Sequence, residues 1–138
     1  MNKTELVDMV KRTAENIATY EEHRPFVFLG DGVVPLAQLD KPHWYSAMSM
    51  ILAEAQPDYY VFIDEVWMAK MHPEDMTLNR AVKDIPGRTE HLMLVICDRD
   101  GTLYSELSEI TVIDGKRHLG AWTAMSGETA INVLPNKW

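Results

Sequence analysis

Two turn signals in the C-terminal half leave this chain little topological freedom. Asp98-Arg99-Asp100-Gly101 and Asp114-Gly115 divide the run from His91 to Met125 into three stretches, His91 to Cys97, Thr102 to Ile113 and Lys116 to Met125. Asp and Gly adopt the turn conformations that short connections demand, so three strands joined in this way run antiparallel as a meander. Upstream, Tyr59 to Ala69 is apolar on both alternating faces except at Asp64 and Glu65, the pattern of a central strand. Phe26 to Leu29 and Val33 to Leu36, flanking Gly30-Asp31-Gly32, predict a further hairpin.

Helical spacing occupies the rest. Leu6, Met9, Val10, Ala14, Ile17 and Ala18 recur at steps of three and four, and Asn2 with Glu5 resembles a capping box. Asp40 and Pro42 open a second helix with Trp44, Ala47, Met48, Ile51, Leu52 and Ala55 on one stripe, stopped by Pro57. These elements predict a single α+β domain over 1–138, with two helices packed on one face of a mainly antiparallel sheet of about five strands. With Cys97 opposite Thr102 and Ile113 opposite Lys116, Leu92, Leu107 and Trp122 form one row of the covered face. The other face then shows His91, Met93, Val95, Tyr104, Glu106 and Ala121, which is semi-apolar. Beyond Ser108-Glu109 the apolar phase moves to Ile110 and Val112, which predicts a β-bulge or bend there.

A length of 138 residues fits one domain of about 150. Thirteen Lys and Arg against twenty-one Asp and Glu give a net charge of −8, which repels nucleic-acid backbones and anionic lipid at long range, so neither is expected as a partner. Cys97 is the one cysteine, which fits a reducing, cytoplasmic setting. The opening residues show no basic-then-apolar leader and no stretch is long enough to span a bilayer, so neither a secretion signal nor a membrane span is expected.

Few residues carry candidate chemistry. Glu65 interrupts an apolar strand, where a carboxylate costs several kcal/mol unless paired, and Arg88 or His91 at the start of the next strand is its expected partner. Glu65, Arg88 and His91 are therefore the catalytic candidates, with residues 70–88 as a lid; a structural ion pair is the expected role of Glu65. His72, Glu74, Asp75, His91 and His118 show no metal-ligand spacing, so no metal and no cofactor are expected. Cys97 reads as a buried thiol and Gly30-Asp31-Gly32 as a turn.

The segment Leu94-Val95-Ile96-Cys97-Asp98-Arg99-Asp100-Gly101-Thr102 resembles the first motif of the haloacid-dehalogenase-like phosphotransferases. That resemblance implies Asp98 as nucleophile and Asp100 as general acid/base, with Mg²⁺ between carboxylates. The family needs a parallel sheet with crossover helices after the motif, whereas antiparallel strands follow Thr102 here, so the motif reads as a hairpin turn. Glu65-Val66-Trp67, Arg88-Thr89-Glu90-His91-Leu92 and Asp98-Arg99-Asp100-Gly101 together resemble an uncharacterised group of small prokaryotic and viral proteins with no known activity. That resemblance singles out Glu65, Trp67, Arg88 and Glu90.

The expected function is a non-enzymatic protein-interaction or scaffold domain acting as a homodimer through Met93, Val95 and Tyr104. A small hydrolase or ligand-binding enzyme using Glu65 and Arg88 is the first alternative. An acidic inhibitor that occupies the basic groove of a nucleic-acid-handling host protein is the second.

Overall fold

The computed structural model describes residues 2–30, 32–68, 87–125 and 134–138. Helix α1 (Lys3–Tyr20) leads into the hairpin β1 (Phe26–Leu29) and β2 (Gly32–Pro35). A short 3₁₀ turn (Leu36–Gln38) precedes α2 (Lys41–Ala55), and then β3 (Tyr59–Met68), β4 (Thr89–Asp98), β5 (Leu103–Ile113), β6 (Lys116–Leu119) and β7 (Thr123–Ala124) follow. All strands pair antiparallel in the order β2-β1-β3-β4-β5-β6, and β7 continues beside β5. The α+β class holds, with seven strands among the described residues in place of about five.

The helices do not share a face. α1 lays Leu6, Val10, Ala14 and Ala18 on Val61, Ile63, Leu92, Leu94, Ile96 and Ile110. α2 lays Trp44, Met48 and Leu52 on the other side, against Val27, Leu29, Tyr60, Phe62, Val95 and Cys97. This corrects the one-sided arrangement, and the reason lies in β3: Tyr60 and Phe62 alternate with Val61 and Ile63, all buried, so both faces need a cover. The sheet curls into a half-barrel around α1, whose apolar neighbours run from Phe26 and Phe28 of β1 to Leu119 of β6. The α1 stripe shrinks from Leu6 and Val10 to Ala14 and Ala18, which brings its C-terminal end close to the strands.

Local signals explain the helix ends. The Glu5 amide donates to Asn2 Oδ1 at 2.9 Å, and Asn2 Nδ2 donates back to the Glu5 carboxylate at 2.9 Å. Pro42 lies in the first turn of α2, and Gln56 closes that helix in a left-handed conformation before Pro57. On the α2 face, Trp44 Nε1 donates to the Leu36 and Leu39 carbonyls, each at 3.0 Å. Leu134 is buried there, Tyr60 Oη donates to the Pro135 carbonyl at 2.8 Å, and Trp138 Nε1 donates to the Pro57 carbonyl at 2.8 Å.

The β4–β5 register is one residue from the expected one: Cys97 faces Leu103, not Thr102. The Asp98 amide donates to the Thr102 carbonyl at 2.9 Å across a three-residue loop, with Gly101 at φ +94°. This is a hairpin whose third loop residue takes the left-handed conformation that glycine adopts without strain. β5 itself runs in unbroken register beside β4 through Ser108-Glu109, against the expected bulge there; the bulge is on the facing strand, where Gly120 to Trp122 oppose Ser108 and Glu109 and the Gly120 amide donates to the Glu109 carbonyl at 2.8 Å.

Candidate functional site

One end of the concave face is polar. Strand alternation places Glu65 and Trp67 of β3 on the face that carries Leu92 and Glu90 of β4, with Glu65 opposite Leu92 and Trp67 opposite Glu90. Continuing along β5 and β6, the next row carries Val112 opposite Arg117. Curling of the sheet swings Arg117 across the opening, so that its Nη2 pairs with Glu65 Oε1 and its Nη1 lies 3.8 Å from Glu90 Oε1. Its Nε donates to the Ala18 carbonyl at 2.5 Å. α1 carries no basic residue in its last turn, and Arg117 supplies the cation that its C-terminal carbonyls favour.

Glu65 is the most enclosed of the three, with 3% of its side chain exposed. It also accepts the His23 backbone N–H at 3.2 Å, and Glu90, on the same face of the neighbouring strand, approaches the same guanidinium. Burial and the nearby Glu90 carboxyl push its own carboxyl up to about 7, against the opposing pull of the His23 amide and Arg117. His23 is itself buried, its ring edge-on to Phe26 at 5.8 Å and its Nδ1 2.6 Å from the Arg24 carbonyl, and burial holds its pKa down. On the opposite face Asp64 accepts the Glu65 N–H at 2.8 Å, and burial raises its carboxyl to about 6. Asp64 borders a cleft of about 350 Å³ with Glu21, Glu22, His23, Arg24 and Pro25.

The residues singled out by sequence separate into two groups. Glu65, Trp67, Arg88 and Glu90 meet on the concave face, with the Arg88 guanidinium 5.0 Å from the Trp67 ring centre. The partner of Glu65 is Arg117, however, not Arg88 or His91. Arg88 is stacked on Trp67, and His91 points to the other face, in register with Val66 and Glu109. The His91 Nδ1 is enclosed and has no hydrogen-bond partner among the described residues. The clefts at Glu15 and Arg117, at Glu21 and Asp64, and at Leu6 and Val33 are lined by neither Glu65 nor Arg88.

Met93, Val95 and Tyr104 do not share a surface. Val95 is enclosed beneath α2, Met93 packs beside it, and Tyr104, half exposed, pairs with Ile96 on the α1 face. The one-residue register difference accounts for this, because a slip of one exchanges the faces of a strand. Asp98 faces Tyr59 across β3 and pairs with Lys3 at 2.5 Å, and Asp100 Oδ1 accepts the Thr102 amide at 2.9 Å. These are the contacts of a turn, as the sequence predicts.

Sequence reasoning missed Arg117 and His23. The available signal was the absence of a basic residue at the end of α1. The 70–88 lid and the group His72, Glu74 and Asp75 lie outside the described residues, save Gly87 and Arg88. Among the described residues no three His, Cys, Asp or Glu side chains cluster as metal ligands, and no helix is long and apolar enough to cross a membrane. No protein-family model matches the chain, and no curated protein or solved structure matches it significantly.

Proposed function

We propose that the chain is a non-enzymatic interaction domain acting as a homodimer, and that it docks through the rim of the concave face formed by Trp67, Arg88 and Val112. The observation that carries this reading is Trp67, 43% exposed and held flat by the Arg88 guanidinium at 5.0 Å. Tryptophan and arginine are the residues most often dominant at protein interfaces, and a side chain already fixed by stacking loses little entropy on docking. Val112, more than half exposed and on the same face as Arg117, extends the rim along β5.

The sheet edges favour docking through a face. β2 is four residues long and ends on Pro35, which has no N–H to donate, and β6 begins with Lys116 and Arg117. The enzymatic alternative draws on the raised pKa of Glu65, the property of a general acid. Glu65 is enclosed by Arg117, Glu90 and the His23 amide, so a substrate would have to displace structural contacts to reach it.

Light scattering and sedimentation at micromolar concentration test the proposal. The expected result is a dimer that Trp67→Ala and Val112→Glu convert to a monomer with unchanged circular dichroism, while Tyr104→Glu leaves it intact. A wild-type monomer throughout, or a dimer indifferent to both rim substitutions, overturns it. Salt-sensitive capture of basic host proteins by a monomeric chain favours the acidic-inhibitor reading instead.

A further inference from the structure

At the polar end of the half-barrel two carboxyls share a contacting cation. Glu65 and Glu90 are two carboxyls, and among the described residues Arg117 is the cation that touches either of them. Arg117 divides its donors among Glu65, the Ala18 carbonyl and a longer approach to Glu90. The side chains of Glu65, Glu90 and Arg117 are all largely withdrawn from water, with exposures of 3%, 19% and 18%. Two carboxylates that share one guanidinium repel each other, and a second negative charge at so enclosed a place is costly unless a proton neutralises it.

We propose that Glu65 and Glu90 hold one proton between them as a latch, which fastens the end of α1 and residues 21–25 to the sheet while it is present and loosens them when it leaves. The fastening contacts converge there: Arg117 binds both the Ala18 carbonyl and Glu65, and Glu65 accepts the His23 backbone N–H. Proton loss leaves two anions competing for one guanidinium that also serves the helix end. The arrangement is independent of whether the chain dimerises.

The charged and titratable groups around Glu65 decide the sign. β4 contributes Glu90 and, turned over Trp67, Arg88. β6 contributes Arg117, the segment after α1 contributes Glu21, Glu22, His23 and Arg24, and Asp64 lies on the opposite face of β3. Native Glu65 keeps its proton up to about pH 7, whereas a solvated glutamate releases it near 4.5. Rising pH therefore favours the opened state across that interval, by at most about tenfold per pH unit, and the effect levels off above it. Asp64 acts in the same direction over a lower interval, ending at about pH 6. His23 acts oppositely: burial lowers its pKa, so a state that exposes its ring is favoured as pH falls below 6.5. Substitutions at the carboxyl pair isolate the latch from both.

Native-state amide hydrogen exchange on the full chain, corrected for intrinsic rates, at pH about 5 and about 7.5, tests it. In the wild type, opening of residues 18–24 is expected to rise by about tenfold or more between the two conditions. Glu65→Gln, which keeps a donor for Glu90 and cannot ionise, is expected to reduce that rise to less than about threefold. Glu90→Gln removes the competing carboxyl and is expected to flatten the rise as well, which keeps the test decisive if Glu65→Gln folds poorly. A wild type with no rise, a rise retained in the folded variants, or an equal rise in the amides of α2 overturns the latch.

Discussion

Arg117 reaches Glu65 although β6 and β3, the strands that carry them, are separated in the sheet by β4 and β5. A flat sheet would hold strands three places apart about 14 Å from each other, beyond direct pairing. Curvature around α1 turns this separation into a contact, and the same guanidinium closes the end of the helix that imposes the curvature. The ion pair thus reports on the closure of the half-barrel as a whole.

Removing Arg117 should therefore cost more than a surface ion pair. Arg117→Ala leaves the Ala18 carbonyl and two carboxyls without their cation, and the expected loss is roughly 2–4 kcal/mol in urea unfolding at neutral pH. Arg117→Lys keeps the charge but cannot bond the carbonyl and Glu65 together through one planar group, and should recover only part of the loss. A change in the Ala variant below about 1 kcal/mol would place the pair among surface ion pairs of little weight.

Asp64 sets a separate pH dependence. Its folded pKa is raised to about 6 from 3.8, so its contribution to stability is fully present below about pH 4 and is lost as pH rises through 6. Asp64→Asn keeps an acceptor for the Glu65 amide without the charge. The variant should gain on the wild type progressively between those limits and hold a constant advantage above them. Urea midpoints measured at intervals from pH 4 to 7 read this directly, and parallel profiles for the two proteins would contradict it.

The Asp98–Thr102 segment should behave as a turn. Gly101→Val places a branched side chain at φ +94°, with its Cβ 3.4 Å from the Asn136 carbonyl oxygen, and should cost about 1 kcal/mol or more in a thermal melt. Asp98→Asn loses only a partly exposed pair with Lys3 and should cost about 0–1 kcal/mol. Mg²⁺-dependent phosphatase turnover by the wild type that disappears in Asp98→Asn would reverse this assignment.

The C-terminal residues 134–138 act as part of the α2-face core. Trp138 stacks near Tyr60 with ring centres 5.6 Å apart and donates to the Pro57 carbonyl, while the buried Tyr60 hydroxyl needs the Pro135 carbonyl. Trp138→Ala should lower stability by about 2–4 kcal/mol. Tyr60→Phe, which strands only the acceptor, should cost about 1–2 kcal/mol. Near-UV circular dichroism of Trp138→Ala that superimposes on the wild type would contradict a fixed aromatic contact there.

Both helices and both long hairpins were legible because each depends on neighbours in sequence, whereas the bulge expected at Ser108-Glu109 falls on the strand facing them. The placement of the helices was misread as one-sided, although the doubly apolar pattern of Tyr60 to Ile63 demands a cover on each face, and that demand outweighs the economy of packing both helices together. The identity of the loop between β4 and β5 was not legible. Asp98 to Thr102 fits a three- or a four-residue connection, and that single residue decides whether Tyr104 joins Val95 or Ile96. Glu65 was visible as a carboxylate in need of a partner, but no local pattern names Arg117. The choice depends on how tightly the sheet curls, a property of the assembled domain.

The side-chain anchors of α1 lie far along the chain. Lys3 binds Asp98, Glu15 binds the Trp122 indole and Ala18 binds Arg117, separations of 95, 107 and 99 residues. The first helix to be synthesised therefore has only part of its seat, on β3 and β4, until the β5–β6 hairpin exists, whereas β3, β4 and β5 can zip together through nearby turns. Folding should then be paced by late docking of a preformed helix, with the rate set by loop closure over nearly the whole chain. During that wait the apolar stripe of α1 and the inner face of the meander are both bare, and each is available to the same element of a neighbouring molecule, a route to exchanged-helix dimers at high concentration.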